Sequence, residues 1–173
     1  MLKIMSGAVA VLLLSAVAAP AQNAKLNDAQ IAHIAYTAGD IDVKAGELAL
    51  QKSKDKAVRD FATSMVNDHK AVNDKALALL KKLNVTPQDN DTSKALAKQA
   101  ADKRVELSKL SGAAFDKAYA ANEVAFHKTV NGALETTLIP SASNGELKEL
   151  LQTGLKLFQG HQQHAEHVVA GLK

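Results

Sequence analysis

Four stretches of the chain carry apolar residues at alternating steps of three and four, the spacing of one face of an α-helix. Ile31, Ile34, Ala38, Ile41, Ala45 and Leu48 make the first seam. They predict a helix from about Asn27 to Lys52, with Asn27 capping and Gln30 placed to complete a capping box. Ala62, Met65, His69, Val72, Ala76, Leu79 and Leu83 make the second, on a helix expected from Lys54 to about Leu83 with Ser53 as its cap. The third runs through Phe115, Tyr119, Glu123, Phe126, His127, Val130 and Leu134, inside a helix from about Ala113 to Leu138. The fourth comprises Leu147, Leu151, Gly154, Phe158, His161, Ala165 and Val168. Its helix is expected to start at a capping box of Ser143 and Glu146 and to end near Val169.

Between the second and third helices the pattern breaks at residues 84–93, where Asn84 is a stop signal and Pro87 forbids continuation. Lys94 to Leu110 is helical again but weakly apolar, with Leu96, Val105, Leu107 and Leu110 set among charges. That composition suits a crossover better than a core helix. Residues 139–143 read as a turn. The expected architecture is therefore an all-α four-helix bundle with a helical crossover between long helices 2 and 3, one domain over residues 22–173. Gly39 and Gly46 in the first helix weaken it by about 1 kcal/mol each relative to Ala, which points to close approach by a neighbour.

The inward stripes carry polar groups: His69, His127 and His161 on three helices, with Asp42 beside the seam of the first. A crossover makes helices 2 and 3 parallel, so depths along the bundle can be compared. At about 1.5 Å of rise per residue, the four side chains fall within about 6 Å of one level. Imidazole nitrogens with one carboxylate suit a divalent transition metal, Zn, Fe, Mn or Cu, and bundle cores build such sites from facing helices. Glu123, one turn before His127, and His164, three residues after His161, are possible additional ligands. The competing reading is a structural or interaction bundle in which each imidazole is satisfied separately, by a backbone carbonyl, Asp68 or Glu123, and the polar group only fixes packing. His167 complements the negative end of its helix.

Composition narrows the function classes. Hydrophobic residues are 47% of the chain but aromatics only 3%, and Cys is absent, so a metal would be bound through nitrogen and oxygen. The net charge of +3 is spread over interspersed charges with no basic block, which argues against a nucleic-acid partner. Lys3, the apolar run to Ala19, and Ala19-Pro20-Ala21 read as a cleavable secretory signal, residues 1–21, with cleavage after Ala21. A retained anchor is the weaker reading. The expectation is a periplasmic or secreted chain with no membrane span after cleavage. No nucleophile triad, phosphate loop or paired catalytic carboxylates can be assembled, so no catalytic residue is assigned. A di-iron centre needs Glu-x-x-His on two helices. Val66, Val124 and Phe158 stand three residues before the three histidines instead, which places a metal-dependent redox enzyme third.

Several runs together carry a resemblance. Asp42 precedes Gly46-Glu47-Leu48-Ala49; Phe61 to His69 reads FA-x-x-M-x-x-DH; Ser111 to His127 reads SG-x-x-FD-x-x-Y with a His eight beyond the Tyr; and His161 comes late. In these the chain resembles the bacterial envelope family catalogued as domain of unknown function 4142, placed among ferritin-like bundles. Where that family has Glu in the first helix, this chain has the shorter Asp42. The resemblance implies a fold and a location, and no activity.

Overall fold

Local chemistry starts and stops each helix close to where the pattern places it, with corrections at several caps. The computed structural model describes residues 25–172; the leader assigned to residues 1–21 lies outside them. Helix α1 (Asp28–Lys52) opens on the expected capping box of Asn27 and Gln30. Helix α2 (Lys56–Lys82) is capped by Asp55, whose side chain accepts from the Val58 N–H, and not by Ser53. Ser53 is the extended residue that ends α1, and its Oγ accepts from the Asp55 N–H. Asn84, at φ 53°, stops α2 as expected, while the Asn84 and Val85 N–H groups donate to Lys81 and Leu80 carbonyls in a Schellman-type end.

Helix α3 (Asp91–Ser108) begins three residues before the expected Lys94, because Asn90 and Ser93 form a capping box. Gln88 N–H bonds Ala29 O near the start of α1, and Lys52 Nζ bonds Ser108 O near its end. The crossover therefore runs alongside α1, and it buries only Ser93 and Leu107. Helix α4 (Gly112–Ala133) continues through a π turn at Leu134–Leu138, where the Ile139 N–H reaches back to Leu134 O, and through one last turn, α5 (Ile139–Ser141). The turn expected at 139–143 is thus pushed to Ala142 and beyond. Pro140 has no N–H to give, and its ring opposes the carbonyl four residues back, so widening the helix just before it keeps the chain helical. Helix α6 (Gly145–Gly171) is capped by Asn144, not Ser143. The N–H groups of Ser143 and Asn144 instead donate to the carboxylate of Asp28, which pins this turn to the start of α1.

The long helices α1, α2, α4 and α6 form the bundle, with α2 and α4 parallel and both antiparallel to α1 and α6, as the crossover requires. A Cβ at Gly46 would lie 2.9 Å from Val66 Cγ2 and 3.0 Å from the Ala62 carbonyl, and one at Gly39 would collide with the Asn73 amide. Both glycines mark the close approach of α2. The apolar core is split in two. One block gathers Phe61, Met65, Phe115, Tyr119 and Ala165; the other gathers Ile31, Leu80, Leu134, Leu147 and Leu151. The α6 stripe is buried as expected. On α2 the buried face continues from His69 through Asn73, Ala76 and Leu80, leaving Val72, Leu79 and Leu83 half-buried. On α4 it passes through Asn131, leaving Phe126 and Val130 half-buried. Both shifts are the drift of a 3.6-residue helix against a 3.5-residue seam. Among the described residues no helix is long and apolar enough to cross a membrane.

Candidate metal centre

Between the two apolar blocks lies a polar layer made by one or two side chains from each long helix. Asp42 comes from α1, His69 from α2, Glu123 and His127 from α4, and His161 from α6; none is more than 5% exposed. The three imidazole rings form a triangle, with centroids 5.7 Å apart for His69 and His127, 5.1 Å for His69 and His161, and 5.6 Å for His127 and His161. A ligating atom from each of the three lies within 4.8 Å of the others, and the same holds for Asp42, Glu123 and His127. The structure thus brings Asp42, His69, His127, His161 and Glu123 together as two overlapping triads that share His127. His164 is different. It is exposed, with its ring edge-on to Phe61 of the core at 5.1 Å, and belongs to neither triad.

Two of the three imidazoles are oriented through one nitrogen, the third through its ring face. His127 Nδ1 donates to the Glu123 carbonyl at 3.0 Å, one turn back on its own helix, so Nε2 carries the lone pair. His161 Nε2 bonds Asp68 Oδ2 at 2.9 Å. Asp68, adjacent to His69 in sequence, reads more readily as a solvated acid. It is instead half-exposed and reaches across from α2 to α6. His69 stacks on Phe158, with centroids 4.6 Å apart and planes 12° apart. Its Nε2 is 3.4 Å from Asp42 Oδ2 without forming a hydrogen bond. What remains is a set of inward atoms with no partner among protein atoms: both nitrogens of His69, His127 Nε2, His161 Nδ1, Asp42 Oδ1 and Glu123 Oε2.

Burial decides the protonation of this layer. It lowers His69 well below the ordinary imidazole value, helped by the neighbouring His127 and His161, and lowers His127 to about 4. His161 is lowered by burial as well, with the Asp68 hydrogen bond opposing. At neutral pH all three are neutral bases with lone pairs available. The acids move the other way. Asp42 is held well above the carboxylate range by burial and by Glu123, and burial raises Glu123 to about 7, so a proton is retained between the two. Tyr119, fully buried two turns below His127, has its hydroxyl pushed up by burial and by the same acids, and that hydroxyl has no protein partner. Glu47 is exposed and paired with Lys70, outside the layer.

This donor set fits a divalent transition ion of borderline character: neutral nitrogens, one or two carboxylate oxygens, and no thiolate. The hydrogen bonds from His127 to a carbonyl and from His161 to a carboxylate are of the kind that orients an imidazole whose other nitrogen is left for an ion. No curated protein and no solved structure gives a significant match to the chain. The sequence does match, over residues 13–168, the model of the family described as Domain of unknown function (DUF4142), and the chain belongs to that family.

Proposed function

We propose that the protein binds one divalent transition metal in its polar layer, through His69, His127 and His161 with Asp42 or Glu123 as the oxygen ligand. The observation that carries this reading is the inward set of unpartnered nitrogens and oxygens on four different helices. Buried donors left unsatisfied cost about 1 to 3 kcal/mol each, and an ion at their centre satisfies several at once. A packing role is favoured by the hydrogen bonds of His127 and His161, but those bonds use one nitrogen of each ring and none of His69. Tetrahedral coordination at about 2.0 to 2.1 Å sets ligand atoms about 3.4 Å apart, so small side-chain rotations close the triad onto an ion.

The role that follows is metal handling or protection of the cell envelope, in an exported ferritin-like bundle with a single crossover helix. Export rests on the leader in residues 1–21, and its check is the N-terminus of the protein recovered from a periplasmic fraction, expected at Gln22. Metal content of the purified chain and titration with Zn, Mn, Fe and Cu test the site. Affinity tighter than about micromolar, lost in His69→Ala, supports the reading. No binding at that level by any of the four ions refutes it. No reaction is assigned. Apolar Val66, Val124 and Phe158 occupy the positions where di-iron chemistry needs carboxylates, and oxygen or peroxide consumption by the metal-loaded chain is the assay that would overturn this.

A further inference from the structure

A second internal space lies one layer away from the histidines. It is a largely enclosed cavity of about 150 Å³ in the block formed by the beginning of α1, the end of α2, the π turn and the first half of α6. Its walls are almost wholly apolar, with Ile34, Val72, Leu134, Leu151 and Phe158 among the large side chains and Ala76 and Gly154 leaving room between them. Two of the polar residues at its margin direct a polar atom elsewhere. Asn73 Nδ2 donates to the Tyr36 carbonyl, and Thr129 Oγ1 donates to the Ala125 carbonyl. A water molecule needs two to four polar partners to reside in such a place, and these walls do not supply them.

Two further features distinguish this space from a simple packing gap. The π turn Leu134–Leu138 forms one wall, and both of its buried residues, Leu134 and Leu138, face the cavity. Turns of this kind occur often at functional sites. Phe158 forms the wall toward the polar layer, with its ring stacked on His69. Dry apolar cavities of about 150 Å³ take up benzene or xenon.

We propose that this cavity is a binding site for a small uncharged hydrocarbon-like molecule, up to a benzene ring in size, seated against Phe158. The site does not depend on a bound ion. It places an apolar guest one aromatic ring away from His69, so occupancy is transmitted to the polar layer through the stacked pair.

The test is benzene titration of the metal-free mature chain, followed by methyl and imidazole NMR. Saturable shifts are expected at the methyl groups of Val72, Leu134 and Leu151 and at the ring protons of His69. Ala76→Leu and Gly154→Val fill the space and are expected to weaken benzene binding at least about tenfold, the equivalent of 1.4 kcal/mol. Xenon NMR on the wild-type chain needs no variant: benzene should displace bound xenon and return its signal to that of free xenon. Non-saturating shifts spread over surface methyls, xenon exchange indifferent to benzene, or undiminished benzene binding in either folded variant overturns the assignment. Because benzene and metal are measured separately, loss of one reading leaves the other standing.

Discussion

Replacing Glu123 by Gln isolates the electrostatics of the polar layer, because Gln has the shape of the protonated acid and cannot titrate. Glu123 is raised by burial from 4.5 to about 7. A group whose folded pKa exceeds its unfolded value contributes stability that is fully present below the unfolded pKa and is lost as pH rises through the folded one. The window here runs from about 4.5 to about 7, and across it the folded state holds a proton that the unfolded chain has released. Each pH unit is worth about 1.4 kcal/mol, so the wild type surrenders about 3 kcal/mol over the window from this group. Other titrations cancel in the difference except that of Asp42, whose carboxyl Glu123 helps to raise; its relaxation in the variant adds to the gain in the same direction. Urea unfolding of metal-free wild type and Glu123→Gln at pH 5 and pH 7.5 should therefore show the variant gaining on the wild type by about 2 kcal/mol or more between the two conditions, since part of the full loss falls below pH 5 and part above pH 7.5. A difference that stays constant with pH, or that moves in favour of the wild type as pH rises, refutes the claim that this carboxyl is buried as a neutral acid.

Other consequences can be checked on the same material. Metal binding that uses Asp42 or Glu123 must expel the proton held between them, so affinity should tighten up to about tenfold per pH unit approaching pH 7 and then level off; binding flat across pH 6 to 7 would mean that the imidazoles act without the acids. Asp68→Asn removes the carboxylate that orients His161. It should weaken metal affinity about 10- to 100-fold with little change in the melting of the metal-free chain, as followed by calorimetric titration and thermal melts. Gly46→Ala drives a methyl against the Ala62 backbone carbonyl and Val66, and should cost about 1 kcal/mol or more despite the better helix propensity of Ala. Gly39→Ala meets only the end of the Asn73 side chain, which can turn aside, and should cost less in the same denaturation assay.

The four long helices, the crossover and the shared depth of Asp42, His69, His127 and His161 were legible in the sequence because all are properties of period and length. A stripe that steps three and four fixes which face goes inward, and a helical crossover fixes which helices run parallel. Caps were less legible. Ser53, Asp55, Ser143 and Asn144 are all good N-cap residues, and the choice of Asp55 and Asn144 depends on how the turns dock, as with the Asp28 carboxylate that occupies the Ser143 and Asn144 N–H groups. The π turn before Pro140 carries no periodic signal. Asp68 was visible only as the neighbour of His69 in the chain. Its contact is with His161, 93 residues away, and nothing in a single sequence links two residues on different helices.

The position of the polar layer within the core has a thermodynamic consequence. Net folding stabilities are about 5 to 15 kcal/mol, and a few buried unsatisfied groups at about 1 to 3 kcal/mol each consume a large share of that. Splitting the apolar core into two blocks keeps each half packed on its own, with Phe61, Met65, Phe115 and Tyr119 on one side and Ile31, Leu80, Leu147 and Leu151 on the other. The helices are thereby held in register from both ends, and the five polar side chains are presented to one another without the layer having to stabilise itself. An ion that binds only this assembled arrangement stabilises the fold by about 2.7 kcal/mol at one hundred times its dissociation constant. Melting temperature should therefore climb with metal concentration in the wild type and stay level in His69→Ala. A climb of equal size in that variant would move the binding away from the core, to exposed residues such as His164 and His167.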